Sequence, residues 1–373
     1  MIPTLQRTVP FFDYPDLFTS CESELVEIFR DVGRRGAFIM QEDVARLEEA
    51  LETFTGARHA FGVGNATDGL LIALQAAGIG PGDEVIFSSH TMVATAAAIH
   101  FAGATPIPVE CGADHLIDPE SVAAAITPRT RSIMPTQLNG RTADMDALIK
   151  LAGKQDLLII EDAAQALGSR FRGKAAGTFG AASAVSFFPA KTLGSLGDGG
   201  AVFTNDDEIA DRMLQLRDHG RRADGEIISW GLNSRLDNLQ AAILLFRLGR
   251  YEQAIERRRT LARRYEALLG AIEELVLPPG PDEDPNHFDI YQNYEIEADR
   301  RDELQDFLKQ RGIGTLQQWG GKAVHQCPRL GFSQSLPFTE ALFARMLLLP
   351  MNLSLTDNQQ DEVCDAIEQF YRG

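Results

Sequence analysis

Lysine and positive charge are scarce in this sequence. Of its 373 residues, 35 are Lys or Arg and 53 are Asp or Glu, which gives a formal net charge of −18. A protein held on a nucleic-acid backbone needs a positive stripe, so this deficit argues against a nucleic-acid binder. The lysines number only six, at positions 150, 154, 174, 191, 309 and 322. A lysine in an apolar segment of this chain therefore stands out.

Cysteines are few, and the longest uncharged run is not a convincing membrane span. Cys21, Cys111, Cys327 and Cys364 form no C-x-x-C pair, so neither a disulfide framework nor a metal site is expected. Residues 85–109 carry no acidic or basic side chain, but their polar residues and two prolines predict strand, helix and strand instead. Residues 1–13 contain no basic segment followed by an apolar run, so we expect a cytoplasmic protein.

The hydrophobic pattern alternates between helices and short strands. Three- and four-residue spacing predicts helices over 22–32 and 43–54, and apolar segments predict strands at 60–63, 85–87, 105–109, 131–135, 157–160, 184–187 and 201–204. Such alternation predicts an α/β fold with a largely parallel sheet and helices on both faces. A long helix over 236–269 and a Pro- and acid-rich link at 277–285 precede a smaller α+β region. We expect domains at 1–248 and 249–373.

The first segment that could carry chemistry is 62–69 (GVGNATDG), between a predicted strand and a predicted helix. It fits neither G-x-G-x-x-G nor G-x-x-x-x-G-K-[ST], so a dinucleotide site or a Walker-type phosphate loop is not supported. The free N–H groups and the dipole of a helix start still favour an anion. The alternative is that Asn65 or Thr67 merely caps the helix.

Two further segments place charged groups beyond buried strands. In 157–165 (LLIIEDAAQ) an apolar strand ends at Glu161 and Asp162, and a carboxylate there implies a cation or a protonated ring nitrogen, unless it only caps a helix. In 184–194 (AVSFFPAKTLG) Lys191 follows a strand and a proline. Desolvation lowers the pKa of a lysine and makes its neutral amine nucleophilic, as Schiff-base chemistry requires.

Together these segments resemble the DegT/DnrJ/EryC1/StrS family of sugar aminotransferases, which are fold-type I pyridoxal phosphate enzymes similar to aspartate aminotransferase. The matching segments are 65–68, 161–168, 186–191 and 199–201, with further similarity at 36–39, 217–220, 231–235, 240–242 and 349–354. The resemblance spans nearly the whole chain. It implies a large domain with a mostly parallel sheet, a smaller C-terminal α+β domain, and pyridoxal 5′-phosphate as cofactor.

The resemblance also implies roles for individual residues. Lys191 matches the lysine that holds the cofactor and shuttles the proton, and Asp162 matches the aspartate beside the pyridine nitrogen. Gln165 corresponds to a residue near the phenolic oxygen. The phosphate is expected at Ala66, Thr67 and Ser186, and at Asn233 from the partner subunit, which implies a homodimer with shared active sites.

Some positions depart from the family pattern on the substrate side. Many relatives stack an aromatic residue on the ring, whereas here Met92 or His90 must cover that face. Residues 137–140 (QLNG) replace the frequent His-Leu-Tyr-Gly, and Ala190 precedes the lysine where Thr is common. Arg235, unless it is only a helix-surface arginine, and His325 are candidates for substrate contacts.

The resemblance implies a reaction that moves an amino group from L-glutamate to a nucleotide-linked keto sugar during synthesis of an amino sugar. Lys191 argues against the branch of the family that has histidine there and performs dehydration. Two alternatives stay open at this stage. One is another fold-type I reaction, such as aldol cleavage or decarboxylation, and the other is a non-catalytic regulator on the same scaffold.

Overall fold

A computed structural model describes residues 8–372. Its helices are α1 Asp16–Thr19, α2 Glu22–Arg35, α3 Glu42–Thr55, α4 Ala66–Ala76, α5 Val93–Phe101, α6 Pro119–Ala125, α7 Met145–Gln155, α8 Asp207–Arg217, α9 Asn238–Leu248, α10 Tyr251–Leu269, α11 Arg301–Gln310, α12 Pro337–Arg345 and α13 Asp357–Arg372. Its strands are β1 His59–Val63, β2 Glu84–Ser88, β3 Thr105–Val109, β4 Thr130–Met134, β5 Leu158–Asp162, β6 Arg170–Phe171, β7 Lys174–Ala175, β8 Ala182–Ser186, β9 Gly200–Thr204, β10 Leu275–Val276, β11 His287–Phe288, β12 Tyr294–Ala298 and β13 Met346–Leu349.

A seven-stranded sheet with the order β1-β9-β8-β5-β4-β2-β3 forms the centre of the larger part of the molecule. The neighbours from β3 across to β8 pair in parallel, and β9 runs antiparallel to both β8 and β1. Six strands therefore end at one edge, where β9 alone begins. The predicted α/β fold with a largely parallel sheet is confirmed.

Helices cover both faces of this sheet because its strands are apolar on both sides. Along β2, Val85 and Phe87 pack with α4 and α5, whereas Ile86 packs on the other face with α6 and α7. Helix α4 lies very close to the sheet at Gly69, where a Cβ atom would lie 3.1 Å from the Cβ of Ala184. The charge-free segment 85–109 is accounted for by β2, α5 and β3. Within residues 8–372, no helix combines the length and the apolar character needed to cross a bilayer.

A second, three-stranded antiparallel sheet, β10-β12-β13, organises the C-terminal region, residues 251–372. Its core is built from α10, α11 and α13, with Leu261, Ile296 and Leu347 among the buried side chains. Val9, near the start of the described chain, packs into the same core. The predicted domain boundary after residue 248 stays a prediction.

The long helix predicted over 236–269 is wrong as a single element. The structure divides it into α9 and α10, which meet at Gly249 and Arg250. Glycine has a low helix propensity, and the break lets the two segments bury different faces. Ala241 and Leu244 of α9 pack beside the large sheet, while Leu261 and Tyr265 of α10 pack in the C-terminal core.

Candidate active site

A cavity of about 490 Å³ opens at the edge where the parallel strands end. This volume lies within the roughly 300–1,000 Å³ that is typical of small-molecule sites. In open parallel sheets, ligands bind beyond the carboxyl ends of the strands. The large sheet and its helices contribute Ala66, Thr67, Met92, Thr136, Asp162, Gln165, Ser186 and Lys191, and the C-terminal region contributes Gln292, Asn293, Leu316, Gln318, Trp319 and Leu348.

One end of the cavity is built to receive an anion. Asn65 caps α4 by accepting a 2.9 Å hydrogen bond from the backbone N–H of Asp68. Within residues 8–372, the N–H groups of Ala66 and Thr67 meet no acceptor, so they are free to bind a ligand. Gly200 makes room beside this helix start, because a Cβ atom there would lie 2.9 Å from the Ala66 nitrogen.

Ser186 completes this end of the cavity from the last position of β8. Its hydroxyl oxygen accepts a 3.2 Å hydrogen bond from the N–H of Phe188. The hydroxyl proton therefore remains available to donate to a ligand. Two backbone N–H groups and one hydroxyl are the kind of donor set that holds a phosphate.

The two acidic residues at the end of β5 have different roles because neighbouring residues on a strand face opposite sides. Glu161 is buried, and its carboxylate accepts hydrogen bonds from Gln137 and from the backbone of residues 177, 179 and 180, at 2.6–2.9 Å. The hydrogen bonds of Glu161 therefore hold the loop at residues 177–180 in place. Asp162 instead lines the cavity.

Asp162 is held at the end of a series of three threonine hydroxyl groups. Thr95 Oγ1 donates to Asp162 Oδ2 at 2.6 Å, Thr91 and Thr95 are 2.8 Å apart, and Thr136 Oγ1 donates to Thr91 at 2.9 Å. Because an ionised carboxylate only accepts, every hydroxyl in the series points towards Asp162. The other carboxylate oxygen accepts from the N–H of Ala164 at 3.2 Å.

The environment of Asp162 leaves its negative charge only partly compensated. Burial raises the pKa of the Asp162 carboxyl above its ordinary value, although the Thr95 hydrogen bond and the Lys191 charge oppose that shift. Within residues 8–372, no basic side chain lies within 4.0 Å of this carboxylate. A positively charged ligand atom beside Asp162 would remove the cost of burying it.

Lys191 follows β8 on a loop that both parts of the molecule fix. The backbone N–H of Lys191 donates to the carbonyl of Phe188 at 2.8 Å. Gln292, from the C-terminal region, accepts from the N–H of Thr192 at 2.7 Å and donates to the carbonyl of Ala190 at 2.8 Å. Burial lowers the pKa of Lys191 to about 8, while the charge of Asp162 acts in the opposite direction.

A group of hydrogen-bonded side-chain amides lies at the same cavity. Gln165 Oε1 accepts from the N–H of Asn139 at 2.9 Å, which identifies Oε1 as the acceptor and leaves Nε2 as a donor. Asn139 Oδ1 accepts from Asn293 at 2.8 Å and from Gln318 at 2.6 Å. Gln318 also donates to the buried carboxylate of Glu295 at 2.9 Å.

Residues 20–368 match the DegT/DnrJ/EryC1/StrS aminotransferase family. The chain belongs to this family. It is 40% identical over 370 residues to the "pleiotropic regulatory protein" of Geobacillus stearothermophilus, covering 98% of this chain and 99% of that protein. It is 39% identical to the dTDP-3-amino-3,4,6-trideoxy-alpha-D-glucose transaminase of Streptomyces venezuelae, with 97% and 96% covered. The structure of S. venezuelae DesV in complex with a ketimine intermediate superimposes with a TM-score of 0.94, at 39% identity, covering 98% of this chain and 99% of that chain.

These comparisons confirm the family and the fold-type I architecture that the sequence predicted. The prediction of an aminotransferase is confirmed with them. The structure brings together seven residues that the family resemblance assigns to the cofactor: Ala66, Thr67, Met92, Asp162, Gln165, Ser186 and Lys191.

Four other predicted site residues do not line the cavity of their own chain. His90 is only 1% exposed and lies 3.3 Å from Glu295, so of the two candidates for the ring face only Met92 reaches the cavity. Arg235 pairs with Asp218 at 3.1 Å. His325 is buried between Ser89, at 2.6 Å, and Glu340, at 3.2 Å. Asn233 is exposed and outside the cavity.

The contacts of His325 have the order serine, histidine and carboxylate, which is the order of a hydrolase triad. Ser89 is fully buried, and its hydroxyl also accepts from the N–H of His325 at 3.1 Å. A nucleophilic serine must reach its substrate. This arrangement therefore joins the end of β2 to the C-terminal region and is not a second catalytic centre.

Sequence reasoning missed three residues at the site. Thr95 lies in the apolar helix α5, and its contact with Asp162 spans 67 positions. Gln292 and Trp319 belong to the C-terminal region. They reach the lysine loop or the cavity only through tertiary packing. A threonine that is buried in an otherwise aliphatic helix was the one available hint, since its hydroxyl needs a partner.

Proposed function

We propose that this chain transfers the amino group of L-glutamate to a nucleotide-linked keto sugar, with pyridoxal 5′-phosphate bound in the cavity described above. The observation that carries the proposal is the convergence of Lys191, Asp162 and the start of α4 on one cavity. Each has the chemistry that a different part of the cofactor requires. The same three groups in separate places would serve only structural purposes.

The residues present fit the cofactor at three points. The free N–H groups of Ala66 and Thr67, with the Ser186 hydroxyl, suit its phosphate. The buried Asp162 carboxylate suits a protonated ring nitrogen, because that partner supplies the missing positive charge. Bound pyridoxal phosphate provides an aldehyde that accepts an amine and a ring that withdraws electrons from the neighbouring carbon.

Lys191 is suited to both covalent attachment and proton transfer. With a pKa of about 8, a substantial part of its amine is neutral near pH 8 and can act as a nucleophile. With the cofactor bound, the same amine would act as the base that takes the proton from the substrate carbon that bears nitrogen and as the acid that returns it. Gln292 holds the loop so that the amine stays over the site between these steps.

Asp162, Gln165 and Met92 orient the reaction without taking part in proton transfer. Asp162 would favour the protonated form of the cofactor's ring nitrogen, and the threonine series holds the carboxylate in position. Gln165 Nε2 is left to donate to the phenolic oxygen, since Oε1 is already bonded. Met92 lines the cavity with a thioether that can pack on a ring face.

We also propose a homodimer in which Asn233 reaches the phosphate of the partner subunit's site. Asn233 lies outside the cavity of its own chain, beside a loop whose Trp230 is 96% exposed. Phe38, Ile227 and Ile228 are further large apolar side chains left exposed, outside the cavity, and such exposure favours a protein interface.

The identity of the sugar acceptor is a finer proposal. The S. venezuelae relative is named for an amino sugar that is linked to dTDP and aminated at carbon 3. Similarity over 97% of this chain supports a nucleoside diphosphate sugar with a ketone at carbon 3. The alternative reactions that use the same lysine and aspartate would release no 2-oxoglutarate from glutamate.

A glutamate-dependent amination assay over keto sugars tests the proposed function. We expect 2-oxoglutarate to form in step with an amino sugar, and Lys191→Ala to abolish turnover. Borohydride treatment of the wild type should attach the cofactor irreversibly to Lys191. Lys150→Ala is the matched control, because Lys150 is exposed on α7. Labelling of another lysine, or cofactor retention without 2-oxoglutarate, would contradict the proposal.

A further inference from the structure

Gln318 carries a buried hydrogen-bond acceptor that is left without a donor. Its side chain is 3% exposed and lines the cavity. Both hydrogens of its amide nitrogen are in use, because Nε2 donates to Asn139 Oδ1 at 2.6 Å and to Glu295 Oε2 at 2.9 Å. Within residues 8–372, the amide oxygen Oε1 meets no donor. A buried polar atom without a partner requires an explanation, and at a cavity the direct one is a ligand.

The charge of Glu295 fixes the orientation of this amide. Burial alone would raise the pKa of the Glu295 carboxyl, but the charges and hydrogen bonds of His90 and His115 outweigh burial and lower it. An ionised carboxylate only accepts hydrogen bonds, so the Gln318 atom beside it must be the amide nitrogen. Oε1 is therefore the end of the amide that remains for a ligand.

The backbone also holds Gln318 in place. Two residues earlier, Leu316 exchanges two backbone hydrogen bonds with Leu348, of 3.2 and 2.8 Å. Trp319, the next residue, has a φ of +49°, and the N–H of Gly321 closes the turn by donating to the Gln318 carbonyl at 2.9 Å. A bulky residue rarely adopts this left-handed conformation, and such strain concentrates at functional sites.

Gln318 is linked through Asn139 to the residue that is proposed to face the phenolic oxygen of the cofactor. The N–H of Asn139 donates to Gln165 Oε1 at 2.9 Å, and Asn139 Oδ1 accepts from Gln318 at 2.6 Å. In pyridoxal phosphate, the phenolic oxygen lies next to the carbon that takes the amine. Oε1 is therefore suited to meet a substrate group close to the reacting carbon, rather than a remote nucleotide.

A free acceptor selects for a ligand group that can donate. The carboxylates of L-glutamate and the phosphates of a nucleotide present only acceptors when ionised, so Oε1 would repel them. A sugar hydroxyl can donate, and it would satisfy Oε1 without disturbing the two bonds of Nε2. A sugar with hydrogen in place of that hydroxyl would leave Oε1 buried and unpaired, which is how a polar site rejects a deoxygenated analogue.

We infer that Gln318 is a specificity-determining residue, whose Oε1 accepts a hydrogen bond from a hydroxyl group on the ring carbon next to the carbon that is aminated. Glu295 is then a positioning residue that acts through Gln318 by keeping its amide in this orientation. The inference rests on the proposed function, because it concerns the acceptor sugar of that same site. The amide cluster includes Asn139, from the segment 137–140 that departs from the frequent family sequence.

Two pairs of amino sugars, run in the reverse direction with 2-oxoglutarate, test this contact. One pair is dTDP-3-amino-3,6-dideoxy-α-D-glucose and its 4-deoxy analogue, and the other is dTDP-4-amino-4,6-dideoxy-α-D-glucose and its 3-deoxy analogue. The members of each pair differ only in the hydroxyl beside the amine, so the test does not depend on which of the two carbons is aminated. In each pair that the enzyme uses, we expect wild-type kcat/KM to favour the hydroxylated sugar by about 10-fold or more.

Four variants assign this preference to the amide and its carboxylate partner. Gln318→Met puts a weakly accepting thioether in place of the amide and should reduce the preference to about 2-fold or less. Gln317→Met makes the same change one residue earlier, outside the cavity, and should keep the full preference. Glu295→Gln should reduce the preference to about 3-fold or less, since a neutral partner lets the Gln318 amide turn round. Glu297→Gln is its control, because Glu297 lies 3.3 Å from His115 but does not contact Gln318, and it should keep the full preference.

The half-reaction with glutamate separates the possible results. Single-turnover formation of 2-oxoglutarate should change by about 3-fold or less in Gln318→Met and Glu295→Gln, because the contact is with the sugar. If Gln318→Met does not fold, the wild-type preference and Glu295→Gln still decide the question.

Several results would overturn the contact while leaving the aminotransferase intact. They are a wild type that reacts with glutamate but uses neither pair, treats the two sugars of a pair equally or prefers the deoxygenated one. A Gln318→Met enzyme that keeps the full preference, or that loses the glutamate reaction as severely as the sugar reaction, would overturn it too. Failure of the wild type to react with glutamate at all would instead refute the proposed function.

Discussion

Thr95 Oγ1 donates a 2.6 Å hydrogen bond to Asp162 Oδ2 inside the apolar body of helix α5. Thr95 lies among aliphatic residues of α5. The contact links this threonine to the carboxylate on which the proposed chemistry depends. Because Thr95 is fully buried, its hydroxyl cannot be replaced by water without opening the packing. The hydroxyl therefore helps to keep Asp162 ionised and pointed at the cavity.

Removing that hydroxyl should weaken the function of Asp162. We expect Thr95→Val to lower kcat/KM by about 10-fold or more, since a hydrogen bond to a charged group would be lost without a change in volume. Thr95→Ser should recover most of the activity. The measurement is turnover at saturating cofactor, alongside the cofactor's absorbance as a function of pH. Equal activity in the valine and serine variants would show that the bond has no part in the reaction.

The pKa of Lys191 predicts how cofactor-free enzyme takes up pyridoxal phosphate. Only the neutral amine attacks the aldehyde, so the rate of capture should rise with pH and level off above about 8, instead of continuing to rise towards the ordinary lysine value. The Asp162 charge raises this pKa, so Asp162→Asn should move the midpoint to lower pH. Stopped-flow absorbance against pH measures both midpoints. A midpoint near 10 in the wild type would rule out the desolvated lysine.

The buried cluster of His90, His115 and Glu295 predicts an alkaline loss of stability. Burial alone would lower the pKa of both histidines. Glu295, joined at His115 by Glu297, outweighs burial and raises the pKa to about 10 for His90 and about 9 for His115. Unfolded histidines titrate near 6.5. The stabilisation is therefore complete below about pH 6.5, declines as the pH rises, and is lost above about pH 10.

Glu295→Gln tests this prediction by removing the carboxylate that both histidines contact. Thermal melts should show a Tm that falls between pH 7 and 10 in the wild type and changes much less in the variant. Glu252→Gln, at an exposed position on α10, should keep the wild-type slope. A steep alkaline slope that survives in Glu295→Gln would have to come from other groups.

Hybrid dimers test whether active sites are shared. Lys191→Ala and Asn233→Ala should each be inactive or strongly impaired alone, because each removes one group from every site. When the two variants are mixed after reversible dissociation, half of the dimers should contain one chain of each kind. Each such hybrid has one intact site built from both chains, so about one site in four should regain activity. Mixing without any gain, in a preparation that sedimentation shows to have exchanged subunits, would place both residues in the same chain's site.

Sequence patterns predicted the parts of the site that are local in the chain. Lys191 follows its strand by five residues and Asp162 ends its own, so strand periodicity and the family resemblance found both. The contacts that tune these groups are not local. Gln292 and Thr192 are 100 positions apart, and Ser89 and His325 are 236 apart. The sequence made His90 a candidate for a substrate contact. In the structure its side chain lies in the interior, beside the buried carboxylate of Glu295.

Gln292 bonds to the chain on both sides of Lys191, at Ala190 and at Thr192, from a region with its own sheet and core. The orientation of the amine is consequently set by two bodies at once. Any rotation of the C-terminal region against the large sheet would tilt the lysine loop and, in the same motion, move the cavity residues of that region, Trp319 among them. Recognition of the sugar and alignment of the proton carrier are therefore mechanically linked, so a poorly fitting acceptor would be disfavoured in both binding and chemistry.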